Sequence, residues 1–110
     1  MKSMQELVDF LIDAGYLHAP GIINAFLKMD RVNFVYPGDR HRAYCDMPLH
    51  IGKGQTISQP RVVAFMLHLL QPGEGHRVLD VGSGSGWTTA LLAELVGEKG
   101  RVYAVERIKS

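Results

Sequence analysis

Five residues, Gly82-Ser83-Gly84-Ser85-Gly86, limit the folds open to this chain more than any other stretch. They follow a short β-branched-rich run, Arg77-Val78-Leu79-Asp80-Val81, and precede helical spacing from Trp87 to Val96, where Gly97 supplies a stop. A second strand-like run, Arg101-Val102-Tyr103-Ala104-Val105, comes next. That order predicts a βαβ unit over 77–106, with a parallel sheet and a ligand site outside the carboxyl ends of its strands. Glycines at alternate positions let the backbone turn tightly and expose amide groups, and the helix that follows points its positive end at the same place. A glycine loop standing alone is equally compatible with a simple tight turn. Here the strand before it, the helix after it and an acid, Glu106, directly after the second strand converge on one site.

The spacing also discriminates between cofactors. Dinucleotide folds use Gly-x-Gly-x-x-Gly, whose loop admits a pyrophosphate. In this chain the third glycine comes one residue sooner, and Asp80 precedes the loop by two positions. A cofactor without phosphates, carrying an amino acid and a sulfonium, suits this variant. The amides of Gly82, Ser83, Gly84 and Gly86 would take its carboxylate, Asp80 its ammonium end, and Glu106 the two hydroxyls of its ribose. The reading therefore favours S-adenosyl-L-methionine over a nicotinamide cofactor. The plainer alternatives are that Asp80 caps the loop and that Glu106 is an exposed strand terminus.

Upstream, Ser3 and Glu6 stand in capping-box spacing, and Met4, Leu7, Val8, Leu11 and Ile12 recur on one helical face until Gly15. Pro20 opens a second short helix through Ile23, Phe26 and Leu27 to about Met29. Together these make an N-terminal helical cap, residues 1–35. The stretch Tyr36 to Gln59 contains Pro37, Gly38, Pro48, Gly52 and Gly54 without a sustained period, which predicts loop and short extended pieces. Pro60 to Leu70 returns to helical spacing through Val62, Val63, Phe65, Met66, Leu69 and Leu70, and Pro72-Gly73 ends it. The fold class expected is α/β and Rossmann-like, with residues 36–110 forming the first half of the main domain.

At Tyr44 to Pro60 the chain reads Tyr-Cys-Asp-Met-Pro-Leu-His-Ile-Gly-Lys-Gly-Gln-Thr-Ile-Ser-Gln-Pro. This segment closely resembles the protein-L-isoaspartate O-methyltransferases. The same pattern begins at Met29-Asp30-Arg31-Val32-Asn33-Phe34-Val35 and continues through the glycine loop to Val102-Tyr103-Ala104-Val105-Glu106-Arg107-Ile108. The resemblance implies a class I S-adenosyl-L-methionine-dependent methyltransferase fold. It also implies methyl transfer to the free α-carboxylate of L-isoaspartyl residues in damaged proteins or peptides, a repair reaction. By motif position Ser58 is the active-site serine, and Gln55, Thr56 and Ile57 lie against cofactor and substrate. Asp80, Gly82, Gly84 and Glu106 fall on cofactor-binding positions. From its spacing alone, Ser58 reads first as a cap for the helix that begins at Pro60, and the surrounding motif reverses that preference.

A carboxylate acceptor and an activated methyl donor need placement and desolvation more than a base. No acid–base pair is therefore expected, and the histidines His18, His41, His50, His68 and His76 lack the paired spacing of metal ligands. Twelve basic residues against eleven acidic ones, a formal net charge of +1, argue against nucleic acid or a membrane surface as partner. The single cysteine, Cys45, and the absence of an apolar leader point to a reducing, cytoplasmic setting. Trp87 reads as packing first and a cofactor flank second. Arg31, Arg40 and Arg42 read as solvated charges. The chain stops four residues after Glu106, short of the family's length, so the fold is expected to be a truncated one. Sheet edges and one flank of the helices are then expected to be uncovered, with self-association or a missing C-terminal half completing the molecule. A cofactor-binding module without turnover is the alternative function.

Overall fold

The computed structural model describes residues 1–52, 55–82 and 84–106, apart from the side chains of Ile51 and Gln55. Helix α1 spans Met4–Asp13, with Ser3 Oγ accepting from the Glu6 amide at 3.1 Å. The return half of the expected capping box is shifted by one residue, since Glu6 accepts from the Lys2 amide at 2.7 Å. Met4, Leu7, Val8 and Leu11 are buried, whereas Ile12, at the margin of the stripe, is half-exposed. The helix closes through Tyr16 N to Leu11 O at 2.8 Å and Gly15 N to Ile12 O at 3.0 Å.

Helix α2, Pro20–Lys28, buries Ile22, Ala25 and Phe26. No side chain of its own caps it. His68 does so from a distance, its Nε2 accepting from the amides of His18 and Ala19 at 3.3 and 3.2 Å. With Nε2 as acceptor, Nδ1 carries the proton and donates to Ala64 O at 2.7 Å.

The stretch read as loop and short extended pieces has its extended pieces paired as a hairpin, preceded by 3-10 turns that the sequence does not announce. Two 3-10 turns, Arg31–Phe34 and Pro37–Arg42, precede an antiparallel hairpin of β1, Leu49–Gly52, and β2, Gln55–Ile57. Elements this short carry no readable period. The hairpin is anchored by Leu49 opposite Ile57, both buried.

Helix α3, Pro60–Leu70, has the limits that Pro60 and Pro72 predict. The βαβ unit follows as β3, Arg77–Val81, α4, Trp87–Val96, and β4, Arg101–Val105, with β3 and β4 parallel from Arg77 opposite Arg101 to Val81 opposite Val105. Gly100 makes the α4–β4 turn possible, because a Cβ there would lie 2.4 Å from Val96 Cβ and 2.7 Å from His76 O. Helix α4 packs on the sheet face that carries Val78 and Val102. Among the described residues an apolar cluster joins Leu7 and Leu11 of α1, Phe26 of α2, Leu67 of α3 and Trp87 and Leu91 of α4. Among the described residues, no helix is long and apolar enough to cross a membrane.

Candidate functional site

The site begins where the ladder ends. Gly82 N donates to Val105 O at 2.7 Å, one step beyond the last paired residues of β3 and β4. The chain then turns with φ of 74°, 54° and 88° at Gly82, Gly84 and Gly86. A side chain at any of the three would face the left-handed penalty of roughly 1–2 kcal/mol. A Cβ at Gly82 or Gly86 would meet nothing within 4 Å, so glycine is required here by conformation and not by crowding. The loop is correspondingly open.

Around it the expected residues converge in part. Glu106 Oε2 accepts from Gly84 N at 2.6 Å, so loop and acid form one constellation. The short contact between a carboxylate and a backbone amide is the kind of bond an anion makes at a glycine loop. Gly86 is the N-cap of α4, and Ser85 Oγ accepts from Trp87 N at 3.2 Å, satisfying one of that helix's first amides. Asp80 accepts from Thr89 Oγ1 at 2.6 Å, which ties β3 to α4 and fixes the carboxylate beside the loop. A cleft of about 340 Å³ brings Ser58 together with Asp80 and Gly82, between Val62, Met66 and Leu70 of α3 and Thr88 of α4.

Thr56 is exposed on β2, and Ile57 is buried in the core with 2% of its surface exposed. The Gln55 side chain, Gly54 and Ser83, with Arg107 and Ile108 of the motif, lie outside the described residues. A second cavity, of about 510 Å³, lies between α2, α3 and α4 and holds none of the expected site residues. His18 and His68 face each other there at 4.1 Å. His68, with both ring nitrogens bonded, serves as a joint between α2 and α3.

Helix α3 is not capped by Ser58. Its N-cap, Gln59, makes no side-chain cap bond, and Asp46 supplies the acceptor instead, taking Arg61 N at 2.9 Å on Oδ1 and Arg61 Nε on Oδ2. That pairing raises the Arg61 pKa, the hydrogen bond to Asp46 being the main cause. Trp87 is packing: fully buried, edge-on to Phe26 at 5.4 Å, with its Nε1 donating to Met29 O at 2.9 Å.

The reading of Arg31 as a solvated charge is corrected. Its side chain is 0% exposed and its guanidinium donates to four backbone carbonyls, those of Ala43, Cys45, Met47 and Ser58. Burial draws its pKa down to about 10, so it stays a cation at neutral pH. The available signal was its setting, a cation beside Asp30 among the apolar Met29, Val32, Phe34 and Val35. Nearby, Tyr44 donates to Asp30 at 2.9 Å, and Asp30 itself caps the first 3-10 turn through Val32 N.

Residues 2–110 match the family model for Protein-L-isoaspartate(D-aspartate) O-methyltransferase (PCMT). A protein-L-isoaspartate O-methyltransferase of Methanopyrus kandleri is 50% identical over 107 residues, 97% of this chain and 47% of that protein. Another, of Aeropyrum pernix, is 53% identical over 102 residues, 93% of this chain and 39% of its own length. A crystal structure described as a protein-L-isoaspartate O-methyltransferase from Plasmodium falciparum, in complex with S-adenosyl-L-homocysteine, matches with a TM-score of 0.89 at 30% identity. It covers 99% of this chain and 51% of that one. The Rossmann-like α/β fold expected from the order of elements is the one observed. The chain spans about half the length of the curated relatives it matches.

Proposed function

Because this chain belongs to the protein-L-isoaspartate(D-aspartate) O-methyltransferase family, we propose that it methylates the α-carboxylate of L-isoaspartyl residues in damaged proteins from the cofactor cradle described above. The observation that carries the reading is the shared cleft, in which Ser58 of the acceptor motif meets Asp80 and Gly82 of the cofactor loop. S-adenosyl-L-methionine, when bound, supplies a methyl group already activated on a sulfonium. The chain's residues hold and orient. The amides of Ser83, Gly84 and Gly86 receive the amino-acid carboxylate, Gly82 N being held in the ladder by Val105 O, and the bond from Gly84 N to Glu106 supports the fit of a carboxylate at that loop. Asp80 faces the ammonium end, and Glu106 the ribose hydroxyls.

Ser58 orients the acceptor carboxylate with its hydroxyl, while Gln55 and Thr56 form the flank of the same segment and Ile57, turned into the core opposite Leu49, anchors it there and does not reach the ligands. The acceptor is ionised at neutral pH, so the chain needs to place it in line and exclude water, and no general base is called for. A second reading is favoured by the open apolar lining of the cleft, where Val62, Met66, Leu79 and Val81 are all exposed. In that reading these residues bind the cofactor and turn over only when a further polypeptide covers them.

Calorimetry with S-adenosyl-L-homocysteine and methyl transfer to an isoaspartyl peptide separate the two. Both predict heat with the wild-type chain that Asp80→Ala or Glu106→Ala abolishes. Only the first predicts ester formation by these residues alone, lost in Ser58→Ala. An absence of heat would remove both, and a larger thermal shift with a nicotinamide cofactor would replace them with an oxidoreductase.

A further inference from the structure

We propose that Arg31 is a positioning residue for the acceptor side of the cleft, clamping the Ser58 backbone and the 43–47 turn into one unit against Trp87. The proposal rests on the reading of Ser58 given above. Arg31 Nη1 donates to Ala43 O and Cys45 O at 3.0 and 3.1 Å, and Nη2 to Met47 O and Ser58 O at 2.7 and 3.1 Å. Three of these carbonyls alternate along one turn, and the fourth belongs to a segment that approaches only in the folded chain. Carbonyls withdrawn from water need donors, and here one planar fork supplies them. A lysine ammonium offers three donors from a single point and cannot span the same four acceptors.

The clamp is not an ion pair. Asp46, the acid whose charge acts on Arg31, directs its carboxylate to Arg61. The guanidinium carbon instead sits 5.5 Å over the Trp87 ring. Trp87 opens α4 directly after the glycine loop, and its indole is bonded to Met29 O. One buried cation therefore touches both the strand end that presents Ser58 and the helix that carries the cofactor loop.

The test compares wild type with Arg31→Lys by amide hydrogen exchange and by affinity for two ligands, S-adenosyl-L-homocysteine and an isoaspartyl peptide. Loss of charge-assisted bonds predicts about a tenfold weaker peptide affinity, with cofactor affinity within about twofold, and faster exchange confined to 43–47 and 58–61. Unchanged peptide affinity, or an equal loss of both ligands, would overturn the positioning role. If wild type binds the homocysteine cofactor product but no isoaspartyl peptide, the Ser58 reading fails by itself. The clamp then stands or falls on exchange, and a uniform acceleration that includes α1 rejects it. Should Arg31→Lys not fold, wild type alone decides, because clamped segments open with one common protection factor and independent segments do not.

Discussion

At the scale of single residues, the polar groups drawn inward do structural work that no local pattern announces. Arg31 is the extreme case, and Tyr44 is a milder one. Partial burial raises the Tyr44 pKa above its ordinary 10.0, and the hydrogen bond to Asp30 adds to the shift. A raised acid pKa means that the fold favours the neutral phenol. Its contribution is therefore complete below about pH 10, the unfolded value, and is lost as pH climbs through the higher folded value. Denaturant titrations of wild type and Tyr44→Phe from neutral to alkaline pH should show a stability difference that narrows at the alkaline end. A difference that stays constant or widens would contradict this sign.

Elements are joined here by side chains lent from elsewhere. Helices α2 and α3 both begin at a proline, without a side-chain cap from their own N-cap residue. His68 serves the first and Asp46 the second. Asp46→Ala should cost about 1–2 kcal/mol in chemical denaturation, since it removes the cap on Arg61 N. Asp46→Asn should recover part of that loss, because an amide oxygen still accepts from Arg61 N. Equal losses in both would mean that the ion pair, not the cap, is what matters.

Over the whole molecule, the apolar surface is unevenly spent. Leu79 and Tyr103 are paired neighbours, as are Val81 and Val105, yet all four are more than half exposed, Val81 by 73%. Val62, Phe65, Met66 and Leu69 continue this surface along the outer side of α3. Parallel sheets are ordinarily covered on both faces, and contiguous apolar patches attract other surfaces. The native chain should therefore bind a hydrophobic dye and sediment faster as concentration rises. Leu79→Lys should weaken both effects while changing stability by no more than about 0.5 kcal/mol, as expected for an exposed site. Dye binding that ignores this substitution would place the sticky surface elsewhere.

What the sequence determined by itself is what short-range geometry dictates. Gly82, Gly84 and Gly86 had to be glycines for positive φ, Pro20 and Pro60 had to open helices, and the order of β3, α4 and β4 followed from period and punctuation. That strand-helix-strand order in turn predicted the parallel pairing of β3 with β4. Tertiary structure decided whatever depended on distant segments meeting. Helix α3 is apolar nearly all round, so its period could not say that Val63, Ala64 and Leu67 would turn inward while Phe65 and Leu69 stayed outside. That Ser58 would share a cleft with Asp80, that Asp46 and not Ser58 would cap α3, and that Arg31 would lie buried among carbonyls are long-range outcomes. Each is set by the donors and acceptors that packing strips of water, and the sequence names those groups without saying which will meet.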